Sequence, residues 1–383
     1  DDKTGDLKHD SGGFFQIRGL NVSTNWGAVS SWTQPIIFQP EIGILGVITK
    51  KIDGILYFLL QAKAEPGNIN THQLSPTVQA TKSNYTRIHG GKPTLFLEYF
   101  TDSKKVDVLL DQLQSEQGAR FYHKRNRNII VRISNNEELP INENYRWLTL
   151  GQINRLLKLN NLVNMDARSV LSNISFDTEN ILSIQTPDKK LLKQCISNFD
   201  LCSNRLSETI IEYIYSHHNN SYCYNSFSIL FNKITQKKFE CEVEATLFPL
   251  NKIDDWLQTD NEIYHPEEKY FSVIGVHVES VQREVSSWDQ PIIKQDYPGI
   301  VGFITKIIEG NLHILTQLKM ESGVMDLLEI SPTVQCITSN YTKNDMPLFV
   351  DELINQNKFK TAIDVFQSEE GGRFYKESNQ NIV

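Results

Sequence analysis

Two stretches of this chain are copies of one another, and that constrains its fold more than any other feature. Residues 61–87 read QAKAEPGNINTHQLSPTVQATKSNYTR, and 256 residues later residues 317–343 read QLKMESGVMDLLEISPTVQCITSNYTK. From Ser31 to Thr86 the copies agree at 30 of 56 positions without a gap. The period far exceeds the ~20–50 residues of a solenoid unit, so a duplicated domain is expected. In a chain of 383 residues this places one domain at 1–175 and a second at 176–383. Residues kept in both copies serve the fold or a shared ligand. Residues found in one copy are candidates for chemistry.

Within the first copy, residues 14–22 read as a strand of partly alternating apolar residues. Gln34-Pro35 points to an edge or loop, because proline cannot donate to a ladder. Residues 43–50 and 55–61 read as strands joined at Asp53-Gly54, a hairpin turn signal. The second copy repeats them at 299–306 and 312–317 around Glu309-Gly310. Residues 94–100 read as a strand. Residues 104–113 read as an amphipathic helix, with Val106, Leu109, Leu110 and Leu113 at helical spacing and Gly118 at its close. Residues 119–122 and 128–133 read as strands joined by a basic turn, Lys124-Arg125-Asn126-Arg127. Residues 145–157 read as a helix with Thr149 near its start. Weak helical periodicity at 191–199 and 206–215 suggests a helical opening to the second domain. Residues 242–256 precede the second copy without a counterpart before the first, and the second copy stops in mid-strand. Both ends therefore look cut.

A net charge of −8 argues against a general nucleic-acid partner, whose affinity rests on a basic surface. It leaves room for a local basic pocket for one anion. The most apolar region, residues 42–60, is broken by Lys50, Lys51 and Asp53, so no membrane partner is expected. Five cysteines without a CxxC pair read as reduced thiols of a cytoplasmic protein.

Gln61, Lys63 and Glu65 alternate at a strand end and share one face. They are either a solvated sheet face or a pocket floor, with Lys as cation or acid and Glu as base. The run from Ser75 to Gln79 and Ser83-Asn84-Tyr85-Thr86 either satisfy their own turns or line a ligand. Trp32 and Tyr85 could stack on a flat ring or pack in the core. The first copy alone has Pro66, Asn68, Arg87, His89, Lys124, Arg125 and Arg127. Cations gathered in an acidic chain suit a diphosphate, or form an ordinary basic turn. The second copy looks partly stripped. No GxGxxG follows a strand and no GxxxxGK[ST] is present, so no nucleotide cofactor is expected.

The strings WTQP (32–35), QAKAEPGN (61–68), LSPTVQATKSNYTRIHGG (74–91), LQSEQGARF (113–121), KRNRNIIV (124–131), WLTLGQI (147–153) and VNMDARSVLS (163–172) resemble the NDP-hexose 2,3-dehydratases. The resemblance spans nearly the whole chain. It implies an α+β fold of two tandem Nudix-like domains, a homodimer, and loss of water across C2–C3 of a nucleoside-diphosphate 4-keto-6-deoxyhexose, usually dTDP-linked. A downstream 3-ketoreductase would consume the 3,4-diketo product, and no cofactor is implied. For that chemistry Glu65 or His89 is read as the base at C3 and Tyr85 as donor or acid at the sugar. Lys63 and Asn84 would support the C4 oxygen. Arg87, Arg120, Lys124 and Arg127 would hold the diphosphate. Trp32, Gln34, Thr77 and Gln79 would position nucleotide or sugar, with Gln61 and Asn68 also in the substrate site. Nudix hydrolases hold metal on a helix rich in Arg and Glu. Residues 104–118 offer Asp111-Gln112 and Ser115 there, so diphosphate binding without metal or hydrolysis is expected. A non-catalytic nucleotide-sugar-binding protein and a degenerate Nudix hydrolase are the alternatives.

Overall fold

The computed structural model describes the chain except residues 89, 91, 175–187, 189, 192, 195–210, 217–222, 281–284 and 356–358. It is a mixed α+β structure, mostly strands with short helices. No helix among the described residues is long and apolar enough to cross a membrane.

The first half is built on strands Gly43–Ile52 and Ile55–Ala64, paired antiparallel. Asp53 and Gly54 both take positive φ, 48° and 85°, as a type I′ turn demands. Gly43–Ile52 also pairs in parallel with Arg125–Arg132, which runs antiparallel to Asp107–Ser115. The central strands are apolar on both faces because both faces are covered. Ile44, Ile48, Leu59 and Ile129 pack on Phe96 and Phe100. Leu45, Val47, Leu60 and Ile130 pack on Ile153, Val170 and Leu171. The latter come from helices Leu150–Leu156 and Met165–Leu171, capped by Thr149 and Asn164 respectively.

Several sequence expectations need correction. Residues 107–115 form a strand, not a helix. Their leucines also fit period two, and pairing with Arg125–Arg132 decides the matter through Arg127–Asp111 and Arg132–Asp107 ion pairs at 2.6 and 2.8 Å. The comparison of residues 104–118 with a metal-holding helix loses its footing for the same reason. Residues 94–100 are not a strand: they lead into helix Glu98–Thr101, which seats Phe100 on the sheet. The basic run 124–127 is no turn, since the strand already begins at Arg125. Residues 145–149 are an edge strand before the helix begins. Pro35 lies within strand Ser31–Phe38, opposite Gly19, in the part that the short strand Phe121–Tyr122 does not reach. Of the helical readings at 191–199 and 206–215, residues 192, 195–199 and 206–210 lie outside the described residues, and residues 211–215 are helical. Helix Phe227–Glu240 follows further along the chain.

The second half repeats many contacts. Ile44 opposes Ala80 and Ile300 opposes Cys336. Gly43 opposes Asn126 and Gly299 opposes Asn379. Thr77 Oγ1 donates to Leu59 O as Thr333 Oγ1 donates to Leu315 O. The two halves meet through one shared core, in which Phe15, Ile17, Ile37 and Phe121 face Phe271, Val273, Ile293 and Phe374. Strand Val243–Phe248, from the segment preceding the second copy, pairs with the first-half strand Gln16–Thr24. At two places backbones clasp across the junction. Gly67 N donates to Gly371 O and Gly323 N donates to Gly118 O, both at 2.7 Å.

These clasps leave no room for a side chain. A Cβ at Gly67 would stand 1.6 Å from Phe374 O, and one at Gly323 would stand 1.9 Å from Phe121 O. Gly67→Ala is therefore expected to lower the unfolding free energy by about 2–3 kcal/mol in urea titration. Gly275→Ala, where the added Cβ meets nothing within 4 Å, is expected to change it by less than about 0.5 kcal/mol. Equal effects would show that the clasp contributes nothing.

Candidate active site

The end of strand Ile55–Ala64 carries Gln61, Lys63 and Glu65 into the seam between the halves. Gln61 Nε2 donates to Pro76 O at 3.0 Å and so holds the loop after Ser75. Lys63 Nζ stands 3.2 Å from Glu65 Oε1 and donates to Gln79 O at 3.3 Å. Gln79 Nε2 donates to Glu65 Oε1 at 3.0 Å. Asn164 Nδ2 donates to Ser75 Oγ at 2.7 Å and to Gln79 Oε1 at 3.1 Å. Those donors fix the carbonyl end of the Gln79 amide, so its NH₂ end faces Glu65.

Beyond this network lies a cavity of about 1140 Å³. The first half contributes Lys63, Glu65, Gln79, Asn84, Glu116, Lys124 and Asp166 to its lining. The second half contributes Trp288, Gln290, Glu370 and Arg373. Arg373 is held by stacking 4.0 Å over the Phe15 ring, and its Nη2 donates to Gln39 Oε1 at 3.3 Å. Trp288 Nε1 donates to Gln290 Oε1 at 2.8 Å, and Gln290 Nε2 donates to Gly372 O at 2.8 Å.

Carboxyls crowd this space. Burial, then repulsion from Glu370, pushes Glu116 up to about 7, against the pull of Lys124. Burial and the charges of Glu370, Glu116 and Glu65 raise Asp166 well above the ordinary range. Asp166 is 3% exposed, and its Oδ1 has no hydrogen-bond partner among the described residues. Burial also raises Glu370, against Arg373, and lowers Lys124 to about 8. Such a cluster binds protons near neutrality, as acid–base chemistry needs.

Of the residues singled out in the sequence, the cavity brings together Lys63, Glu65, Gln79, Asn84 and Lys124. Trp32 and Gln34 bond to each other at 2.9 Å, with Gln34 reaching Ala119 O, and do not line it. Their counterparts 256 residues on, Trp288 and Gln290, do. Thr77 is buried and accepts from Ile48 N at 2.9 Å, clamping the turn to the sheet. Asn68 is buried against Gly371, with Nδ2 donating to Lys63 O at 3.2 Å. Tyr85 packs against the core. Arg87 is exposed at φ 57°. Arg120 stacks 4.2 Å over Phe271, and Arg127 grips Asp111 with two bonds. His89 lies outside the described residues. The residues not foreseen are Glu116, Asn164 and Asp166 of the first half, and the four from the second half. Asp166 and Asn164 sit inside the string VNMDARSVLS, and Glu370 is visible as a difference between SEQG and SEEG.

The sequence profile of the NDP-hexose 2,3-dehydratase family matches residues 1–174 and 229–383. The chain belongs to this family. Three relatives align over nearly all of it, each a dTDP-4-dehydro-6-deoxy-alpha-D-glucopyranose 2,3-dehydratase. That of Saccharopolyspora spinosa is 41% identical, covering 99% of this chain and 75% of its own length. That of Streptomyces violaceoruber is 38% identical, covering 100% and 80%. That of Amycolatopsis orientalis is 37% identical, covering 97% and 72%. Among solved structures, a C. elegans Ap4A hydrolase aligns with 12% identity and a TM-score of 0.21 over 30% of this chain and 84% of that one. A score this low carries no argument.

The raised Glu116 carboxyl predicts a pH effect with a definite sign. The folded protein keeps its proton above the unfolded value of 4.5. That stabilisation is complete below 4.5 and is lost as pH rises through about 7. Glu116→Gln keeps a carbonyl to accept from Asn126 and has no charge to bury. In thermal unfolding the variant is expected to gain on the wild type as pH rises across this window. A gap independent of pH would refute the assignment.

Proposed function

We propose that the cavity removes water across C2–C3 of a nucleoside-diphosphate 4-keto-6-deoxyhexose, giving the 3,4-diketo-2,6-dideoxy sugar. The supporting observation is the Lys63–Glu65–Gln79 network opening onto a cavity of buried carboxyls and cations. A C4 ketone makes the C3 proton acidic, and a positioned carboxylate can take it. Glu65 is the base in this reading, oriented by Gln79. Lys63 and Asn84 stabilise the enolate oxygen that develops at C4, where a fixed cation is worth most. Lys124 and Arg373 are the cavity's cations for the diphosphate, and Trp288 offers the ring face for the base. The names of the relatives at 37–41% identity support a dTDP-linked substrate.

The same reading takes the halves as two units from a duplication, which the 30 shared positions and the repeated contacts support, and takes each unit as Nudix-like. It also takes the protein as a homodimer whose unstable diketone passes to a 3-ketoreductase.

Incubation with dTDP-4-keto-6-deoxyglucose in deuterated water, with a ketoreductase and NADPH to trap the diketone, tests the reading by mass spectrometry. The expected product lacks one oxygen and carries deuterium at C2. Unchanged sugar, with GDP- and UDP-linked analogues also inert, would leave a binding protein. Glu65→Gln is expected to lower kcat by at least about 10²-fold while nucleotide-sugar binding persists. Retained turnover would remove Glu65 from the mechanism.

A further inference from the structure

Elimination needs a second group, because hydroxide is a poor leaving group and the C2 oxygen must be protonated as it departs. Tyr85 packs against the core and does not line the cavity. We propose that Glu370, carried in by the second half, is the acid that protonates the departing C2 hydroxyl, facing Glu65 as base.

The two carboxylates converge on one point. A Cβ built on Gly372 would lie 2.3 Å from Glu370 Oε1 and 3.6 Å from Glu65 Oε1. Glu65 comes from the strand end of the first half. Glu370 comes from the loop that clasps Gly67. Their surroundings differ as an acid and a base require. Glu65 accepts from Gln79 and pairs with Lys63. Glu370 is half-buried at the cavity wall, and among the described residues its carboxylate takes no side-chain hydrogen bond. Burial, then the neighbouring Glu65 charge, favours its protonated form against the pull of Arg373, Lys63 and Lys124.

Two other carboxyls compete for the role. Glu116 accepts from Asn126, whose Oδ1 takes Gly43 N, and the second half repeats this as Glu369, Asn379 and Gly299. A clamp present in both halves serves the fold. Asp166 also lines the cavity but is only 3% exposed, whereas Glu370 is half-buried there. The position that matches Glu370 in the first half is Gln117, which cannot donate a proton as an acid. The acid is thus supplied to one of the two related seams only.

The steps balance. Glu65 takes the C3 proton, and the electron pair forms the enolate at C4. The enolate collapses, C2=C3 forms, the C2–O bond breaks, and the Glu370 proton leaves with the oxygen as water. Glu65, its proton exchanged with solvent, then protonates C2 while Glu370 takes the O3 proton, giving the diketone and resetting both groups.

This inference rests on the dehydratase reading, and its test separates the two. Wild-type protein that releases no water from the hydroxyl substrate fails that reading before any variant is made. Given wild-type turnover, Glu370→Gln is expected to lose about 10²–10⁴-fold in kcat on the hydroxyl substrate. On the 2-deoxy-2-fluoro analogue, whose fluoride departs without full protonation, the loss is expected to stay within about tenfold. Deuterium from solvent should still enter C3 of unreacted substrate, because the base is intact. Glu370→Asp should recover part of the rate. Equal losses on both substrates, or no loss on either, would overturn the assignment.

Discussion

The structure depends on a backbone clasp across the junction of the halves. Gly67 and Gly323 each donate to a carbonyl of the opposite half at 2.7 Å. Each approach is close enough to exclude a Cβ. The shared core holds the clasp in place, with the Phe121 and Phe374 rings meeting edge-on at 6.0 Å. Because the clasped loops carry Gln117, Arg120, Glu370 and Arg373, each half lends side chains to the seam of the other. Arg120 lies over Phe271 and Arg373 over Phe15. A cavity built this way belongs to neither half alone.

That arrangement also accounts for the electrostatics. A carboxylate taken out of water is costly unless paired, and neutralises by binding a proton where pairing is incomplete. Lys63, Lys124 and Arg373 cannot offset Glu65, Glu116, Asp166 and Glu370 together. The protein therefore keeps protons on some of these carboxyls near neutrality. The second seam differs: Glu377 stands where Lys124 stands in the first, and burial beside Glu369 pushes it up to about 8. Exchanging a lysine for a glutamate there removes a cation that an anionic ligand would use.

The legible parts of the fold were those whose local signals agree with their tertiary use. The Asp53-Gly54 hairpin carries its turn chemistry in two residues, and the flanking strands are apolar enough to be central. Residues 107–115 misread because Leu109, Leu110 and Leu113 fit a helix as readily as a strand, and only pairing with Arg125–Arg132 distinguishes them. Lys63, Glu65 and Gln79, which both copies keep beside a strand end, are legible as polar residues and line the cavity. Arg127 pairs with Asp111, which comes from a strand whose leucines also fit helical spacing, so that pairing is not visible in the sequence.

The sequence by itself determined that residues 31–86 recur at 287–342, which segments are polar at strand ends, and which family the chain belongs to. Those properties lie in residue order and survive without coordinates. Only the tertiary structure decided that Trp288 and Gln290, rather than Trp32 and Gln34, join Lys63 and Glu65, and that Glu370 faces Glu65. The reason is the crossing of loops at Gly67 and Gly371. Residues 304 and 205 apart in the chain become neighbours through two backbone hydrogen bonds and a shared aromatic core, and no local pattern records that exchange.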